Sequence, residues 1–270
     1  DAQESRGLGD VYKRQVLICG LRSLIAAIVL AVTIRPKQLK WNWWMVIYMC
    51  SYAGLCLSII LALGATSAPV AIGMQYTAAI WLFLANLLKT RKFHTRAFVP
   101  VAIIFIGVVC FMCSGEDAAS QAGNFIALSE GIFFALMTVS AKKVAGTNPI
   151  GLTAVANLFT GIVVFLLFPG TLGKISVMTS MDWIIMLVLG IIQIGAGYAC
   201  YNVGIQKISA QKASVIALWE MILGPVWVAL FLKEYPTPMV LTGFIIILLG
   251  MLLDSLMNSE TSKSLQKQLS

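Results

Sequence analysis

The chain has 270 residues, 59% of them hydrophobic and only 11% charged, against about 25% charged in an ordinary soluble domain. Its 19 Lys and Arg outnumber its 11 Asp and Glu, giving a formal net charge of +8, but the basic residues are spread over short gaps between apolar runs. That spread excludes the single basic face or helix of a nucleic-acid binder, and no stretch is left over for a soluble domain of useful length.

In chain order, residues 1–15 are polar and do not begin with Met. Asp10 to Gln15 (Asp-Val-Tyr-Lys-Arg-Gln) is what GAT GTG TAT AAG AGA CAG encodes, which resembles a transposon end used in sequencing-library preparation, so this segment is expected to be a non-native leader outside the fold. Nine apolar runs follow, at 16–34, 43–63, 69–88, 97–114, 123–141, 150–169, 183–206, 213–232 and 236–257, each near the ~20 residues that cross a ~30 Å hydrocarbon core. A polar tail, 258–270, closes the chain. Threading the runs back and forth puts thirteen of the fifteen Lys and Arg of the gaps and tail on one side, with only Lys174 and Lys233 on the other. The positive-inside rule assigns the thirteen, and the C-terminus, to the cytoplasm. Nine spans ending inside must begin outside, so one further helix at the start is expected, for ten in all.

Polar residues inside the runs mark candidate sites, because ionisable groups in hydrocarbon cost ~2.5 kcal/mol or more and usually face a partner or a water-filled space. Arg22, near the outer end of the first run, is expected to snorkel to the headgroups, with a hold on a substrate carboxylate as the other reading. The 69–88 run places Gln75, Ala79, Leu82 and Asn86 on one helical face, with Tyr76 beside them; Glu130 sits in the fifth run between Ser129 and Gly131; and the sixth carries Thr153, Asn157 and Thr160 in a stripe. In the seventh, Gly190, Gln193, Gly197, Tyr201 and Gly204 recur at three- and four-residue spacing. Tight packing through small residues accounts for such a glycine stripe as well as a ligand does. In the eighth run Glu220 shares a face with Ile216, Leu223, Gly224 and Trp227, and is the candidate for a substrate ammonium group or a coupling proton. The substrate-binding or coupling set is therefore Glu220, Gln75, Tyr76, Asn157, Gln193, Tyr201 and Glu130.

Cutting the chain near residue 118 exposes an internal repeat. Thr66-Ser67-Ala68 before the third run matches Ile208-Ser209-Ala210 before the eighth. Five spans per half force opposite orientations, and inverted repeats are a transporter architecture. The stretch from Ile208 through Leu218-Trp219-Glu220 to Gly224-Pro225 and Leu232-Lys233-Glu234-Tyr235-Pro236, with Leu63 to Ala68 and Gln75-Tyr76-Thr77-Ala78 in the first half, resembles the EamA-type permeases of the drug/metabolite transporter superfamily. The resemblance covers 16–257 and implies an all-α protein of ten helices in two inverted five-helix repeats, 16–117 (lacking its first helix) and 118–257, around a central cavity in the bacterial inner membrane, moving amino acids and other small metabolites. It departs from the family pattern where Ala79 and Met221 stand near an expected Pro and where Lys89-Thr90-Arg91-Lys92 replaces an acidic residue.

Enzyme chemistry finds little support. The one histidine, His94, lies in a basic gap; Cys110 and Cys113 have no second ligand pair; and no phosphate-cradling glycine loop is present. The expectation is a secondary transporter, in the export direction, with a small-molecule metabolite and the lipid bilayer as partners, no nucleic acid, no cofactor and no metal. Proton coupling is an addition resting on Glu220, and the small-residue faces leave the oligomeric state open. Uptake or exchange is the alternative within transport, and a membrane-embedded enzyme or lipid-handling protein the alternative outside it.

Overall fold

A computed structural model of the chain describes residues 2–32, 39, 41–91, 93, 95–115, 118–144, 146–207, 219, 222–224, 226–231, 233 and 235–269. The 208–218 motif, Lys92, His94, Glu220, Pro225 and Glu234 lie outside the described residues, as does half of the 213–232 run. Among the described residues the fold is all helical: α1 (Ala2–Ala31), α2 (Trp43–Leu63), α3 (Ala68–Met74), α4 (Ala78–Thr90), α5 (Thr95–Met112), α6 (Ala118–Lys143), α7 (Pro149–Leu167), α8 (Ser180–Val188), α9 (Gly197–Lys207) and α10 (Pro238–Leu269). Seven helical stretches are long and apolar enough to cross a membrane: Lys13–Ala31, Trp43–Leu63, Ala68–Thr90, Ser120–Lys143, Pro149–Leu167, Ser180–Ile205 and Pro238–Met257. The fourth predicted run forms a shorter apolar helix, Ala97–Met112, and the eighth is represented by the partly described Ile222–Phe231. The polar ends are helical too, α1 starting at Ala2 and α10 running on to Leu269.

Local chemistry explains the helix ends. Asn42 caps α2 by accepting from the Met45 N–H at 3.0 Å. Asn148 caps α7 by accepting from the N–H groups of Ile150 and Gly151, and Pro149 takes the first helical position, where its missing N–H costs nothing. Thr179 and Asp182 form a reciprocal capping box at the start of α8. Arg91 adopts φ 52° and donates its N–H to the Leu87 carbonyl, which stops α4.

Two predicted runs are not uninterrupted α-helices. A 3-10 turn, Gln75–Thr77, separates α3 from α4, and a π-helical segment, Leu189–Ala196, joins α8 to α9. Each changes the angular step per residue, so faces drawn at 100° per residue do not continue through them.

The chain divides into two compact units, one made of residues 1–64 and 136–207 and the other of 65–135 and 208–270. In the first, the most extensive helix pairing is α1 with α7. A Cβ at Gly20 would stand 2.7 Å from the Phe165 ring and 3.1 Å from Val164, while one at Gly161 would meet Leu24 and lie 3.4 Å from the Gly20 carbonyl. As α1 advances from 20 to 24 its partner falls back from 165 to 161, so the pair is antiparallel. Leu17 and Leu21 of α1 also pack on Met186 of α8, with Ile25, Phe165 and Leu189 around them.

In the second unit α5 and α10 make the corresponding pair. A Cβ at Gly107 would lie 2.8 Å from the Gly243 carbonyl, one at Gly243 2.9 Å from that of Gly107, and one at Gly250 3.0 Å from that of Pro100. This pair is antiparallel as well, and each backbone rests on the other through reciprocal glycines. The first part of α6 approaches the chain the same way. A Cβ at Gly123 would be 2.8 Å from the Thr66 nitrogen, and one at Gly131 would collide with the Thr77 hydroxyl.

Small residues matter here because lipid supplies no hydrophobic force between helices, leaving close packing and interhelical hydrogen bonds to hold them. Gly107→Ala and Gly243→Ala are therefore each expected to lower stability by about 1–3 kcal/mol through overpacking. Gly204→Ala, where nothing lies within 4 Å, is expected to be neutral or slightly stabilising. Thermal unfolding of the purified variants in detergent checks the contrast, and equal effects at all three positions would contradict it.

Candidate functional site

Two sets of polar groups stand out in the first unit, one closed by hydrogen bonds and one open. The closed set joins α2, α7 and α9. Tyr48 and Tyr52, one turn apart on α2, face Asn202 and Tyr198 of α9 in antiparallel register. The Asn202 amide nitrogen donates to the Tyr48 hydroxyl and to the Thr153 hydroxyl, each at 2.8 Å. Tyr52 donates to Asn157 Oδ1 at 3.1 Å, and Asn157 Nδ2 donates to the Thr153 carbonyl at 2.9 Å. Tyr48, Tyr52, Thr153, Asn157 and Asn202 are all fully buried. The Tyr52 ring meets Tyr198 edge-on at 4.8 Å, and Tyr198 in turn meets Tyr201, whose hydroxyl is 3.2 Å from that of Thr138 on α6.

The open set lies where α1 meets the π segment. Arg22 is buried, 7% exposed, and donates through a terminal guanidinium nitrogen to Gln193 Oε1 at 3.3 Å. Its Nε–H and the neighbouring Ser23 hydroxyl are buried and have no hydrogen-bond partner among the described residues. Glycine makes the approach feasible, since a Cβ at Gly190 would stand 2.9 Å from the Arg22 carbonyl. The expected snorkelling of Arg22 is thus not what the fold does: α1 is covered on this side by the π segment, and the buried guanidinium bonds to the exposed Gln193.

In the second unit, the Thr66 hydroxyl donates to Asn124 Oδ1 at 2.5 Å, and Asn124 Nδ2 donates to the Phe111 carbonyl at 3.0 Å, tying the turn before α3 to α6 and the end of α5. Glu130 of α6 is fully buried, and neither carboxylate oxygen has a hydrogen-bond partner among the described residues. The residue after it, Gly131, abuts the 3-10 turn that carries Gln75, half-buried, and Tyr76, buried.

The predicted site residues are therefore distributed. Asn157, Gln193 and Tyr201 belong to the first unit, Gln75, Tyr76 and Glu130 to the second, and Glu220 lies outside the described residues. Asn157 has both ends of its amide committed to Tyr52 and Thr153, whereas Gln193 and Glu130 keep unused hydrogen-bonding capacity. The seventh-run stripe is split by the π segment. Gly190 and Gln193 face α1, Gly204 meets nothing within 4 Å, and Asn202, one place beyond Tyr201, is the residue that enters the interior. Tyr48, Tyr52 and Asn202 were not singled out by sequence, although three i, i+4 polar pairs, Tyr48/Tyr52, Thr153/Asn157 and Tyr198/Asn202, were there to be matched.

Apolar helices of membrane-crossing length, with Ile184, Leu187, Val188 and Ile192 exposed on their outer surface and polar groups turned inward within each unit, define a multi-pass α-helical membrane protein. Within that class the chain belongs to the EamA-like transporter family, whose model matches residues 121–256. It is 26% identical over 197 residues to an uncharacterized transporter of Synechocystis sp. (strain ATCC 27184 / PCC 6803 / Kazusa), a match covering 68% of this chain and 56% of the relative, so the chain spans little more than half the length of that protein. A solved crystal structure of a protein shares the fold, with a TM-score of 0.62 at 15% identity over 89% of this chain and 87% of that one.

The closed network predicts measurable coupling. Tyr48→Phe and Asn202→Leu are each expected to destabilise the protein. The double variant should lose less than the sum, by about 0.6–1.7 kcal/mol, the range for interhelical hydrogen bonds in membranes. Strict additivity in unfolding titrations would contradict the bond between them.

Proposed function

We propose that this chain is a secondary transporter that moves small organic metabolites such as amino acids across the bacterial inner membrane, in the export direction, by alternating access of two inverted five-span repeats. The observation that carries this reading is the pairing of helices. The first and sixth predicted runs pack antiparallel as α1 and α7 and the fourth and ninth as α5 and α10, while the second, whose main packing partner is α7, meets the seventh in antiparallel register through Tyr48–Asn202 and Tyr52–Tyr198. In addition, Gly224 of the eighth run approaches Ile72 of the third, where an added Cβ would come within 3.3 Å of its side chain. Four pairs of runs five apart thus meet, and in the three pairs whose register is given above the two helices point opposite ways. This is what duplication of an odd number of spans produces, and carriers with such repeats work by moving one set of helices against another.

The chemistry of the interior supports carriage rather than catalysis. The open groups at Arg22, Gln193 and Glu130, a guanidinium, an amide and a carboxylate, are suited to binding and releasing a polar solute. Glu220 is assigned to the substrate ammonium group or to the coupling proton, and the buried, unpartnered carboxylate of Glu130 makes it the second candidate for coupling. The thirteen basic residues on one side of the threaded chain support a cytoplasmic C-terminus.

Reconstitution in liposomes holding a pH-sensitive dye, with a panel of amino acids and related metabolites, tests the reading. Substrate-dependent proton movement is expected, reduced to background in Glu220→Gln or Glu130→Gln. Substrate flux without proton movement would remove the coupling, and absence of flux across the panel would remove the transporter reading.

A further inference from the structure

Arginine stays protonated in proteins, so Arg22 brings a permanent positive charge, with five N–H donors, into the interior of a membrane-spanning unit. A buried guanidinium is ordinarily matched by a carboxylate, since an unpaired buried charge costs several kcal/mol. Here the described residues offer it no carboxylate: its hydrogen-bond acceptor is the neutral Gln193 Oε1 at 3.3 Å, and its Nε–H is buried and unpartnered. Gln193 is exposed and uses its oxygen on Arg22, which leaves its NH2 group as an accessible second donor with no acceptor among the described residues. The Cys19 thiol beside the guanidinium is a weak acceptor that supplies no countercharge.

The backbone around the pair is special as well. Gln193 lies in the middle of the π-helical segment Leu189–Ala196, and Gly190 brings that segment against the carbonyl of Arg22 itself. π-Helical turns are rare, cost regular hydrogen bonding, and recur at functional positions. This one presents Gln193 to α1, while the Tyr48–Tyr52–Thr153–Asn157–Asn202 network is closed on itself.

We infer that Arg22 and Gln193 form an oxyanion subsite, which binds a carboxylate or phosphate group of the transported solute through the guanidinium Nε–H and the Gln193 amide NH2. The planar guanidinium suits the two oxygens of such a group, and the low-dielectric surroundings strengthen the pairing. The inference rests on the transporter reading for the origin of the anion, but the site is testable by binding alone.

The purified protein is titrated with succinate, inorganic phosphate and the neutral succinamide at constant ionic strength, and its thermal midpoint is followed by tryptophan fluorescence. At a concentration well above Kd, one of the two oxyanions is expected to raise the midpoint by roughly 3 °C, and succinamide to leave it unchanged. A response to succinate alone supports a carboxylate subsite, and one to phosphate alone a phosphomonoester subsite. Arg22→Gln abolishes the rise. Gln193→Glu abolishes it too, and raises the midpoint of the unliganded protein, because the new carboxylate fills the vacant role from within; this variant separates loss of binding from loss of fold. A rise that survives both substitutions, or no rise with either anion in the wild type, overturns the inference. Flux of a neutral metabolite in liposomes without any oxyanion response overturns the subsite and leaves the transporter, whereas an oxyanion response without flux of any metabolite overturns the transporter and leaves the subsite.

Discussion

Helices in a bilayer gain little from hiding apolar side chains from one another, because lipid is as apolar as they are. What remains is close contact, and in this protein it is reached where glycine allows one backbone to lie on another, at Gly20 and Gly161 between α1 and α7 and at Gly107 and Gly243 between α5 and α10. The other features follow from these two approaches. With α7 held against α1, Thr153 and Asn157 come within hydrogen-bonding distance of α2 and α9; with α1 fixed, the π segment closes over Arg22. In the second unit, the glycines of α6 set Glu130 next to the 3-10 turn at Gln75–Thr77.

Polar groups inside a membrane are costly, and most of those in the first unit are used up. Tyr48, Tyr52, Asn157, Asn202 and Thr153 satisfy one another across three helices, so they hold the unit together and have little left to offer a solute. Against that background the groups with unspent capacity stand out. Arg22 has its Nε–H, Gln193 an amide NH2 and Glu130 two carboxylate oxygens. A side chain that keeps a charge, a donor or an acceptor unspent contributes little to stability, which is why these three, rather than the larger network, carry the functional reading.

Much of the fold was legible in the sequence. Hydropathy located seven of the nine runs as helices of spanning length and an eighth as a shorter one, since twenty apolar residues can only be helical in lipid. The 3-10 turn at Gln75–Thr77 and the π segment at Leu189–Ala196 were not legible, because both lie inside unbroken apolar runs and arise from packing against neighbouring helices. For that reason the stripe from Gly190 to Gly204 did not hold as one face. Arg22 was misjudged for the same cause: its position near a span end suggested snorkelling, but burial depends on which helix covers it. Asn157 was visible as an intramembrane polar residue, whereas its commitment to Tyr52 depends on a partner more than a hundred residues away. Glu220, the strongest candidate from sequence, lies outside the described residues.

The central claim is that the protein carries solute by exposing one binding site alternately to the two sides of the membrane. Counterflow tests this most directly. Proteoliposomes are preloaded with an unlabelled metabolite from the panel and then given a trace of the labelled compound outside. A carrier of this kind predicts transient accumulation of label above its external concentration, because the unlabelled solute inside competes with the entered label for the same site and slows its exit. Label that only equilibrates, at a rate indifferent to the internal load, would contradict alternating access.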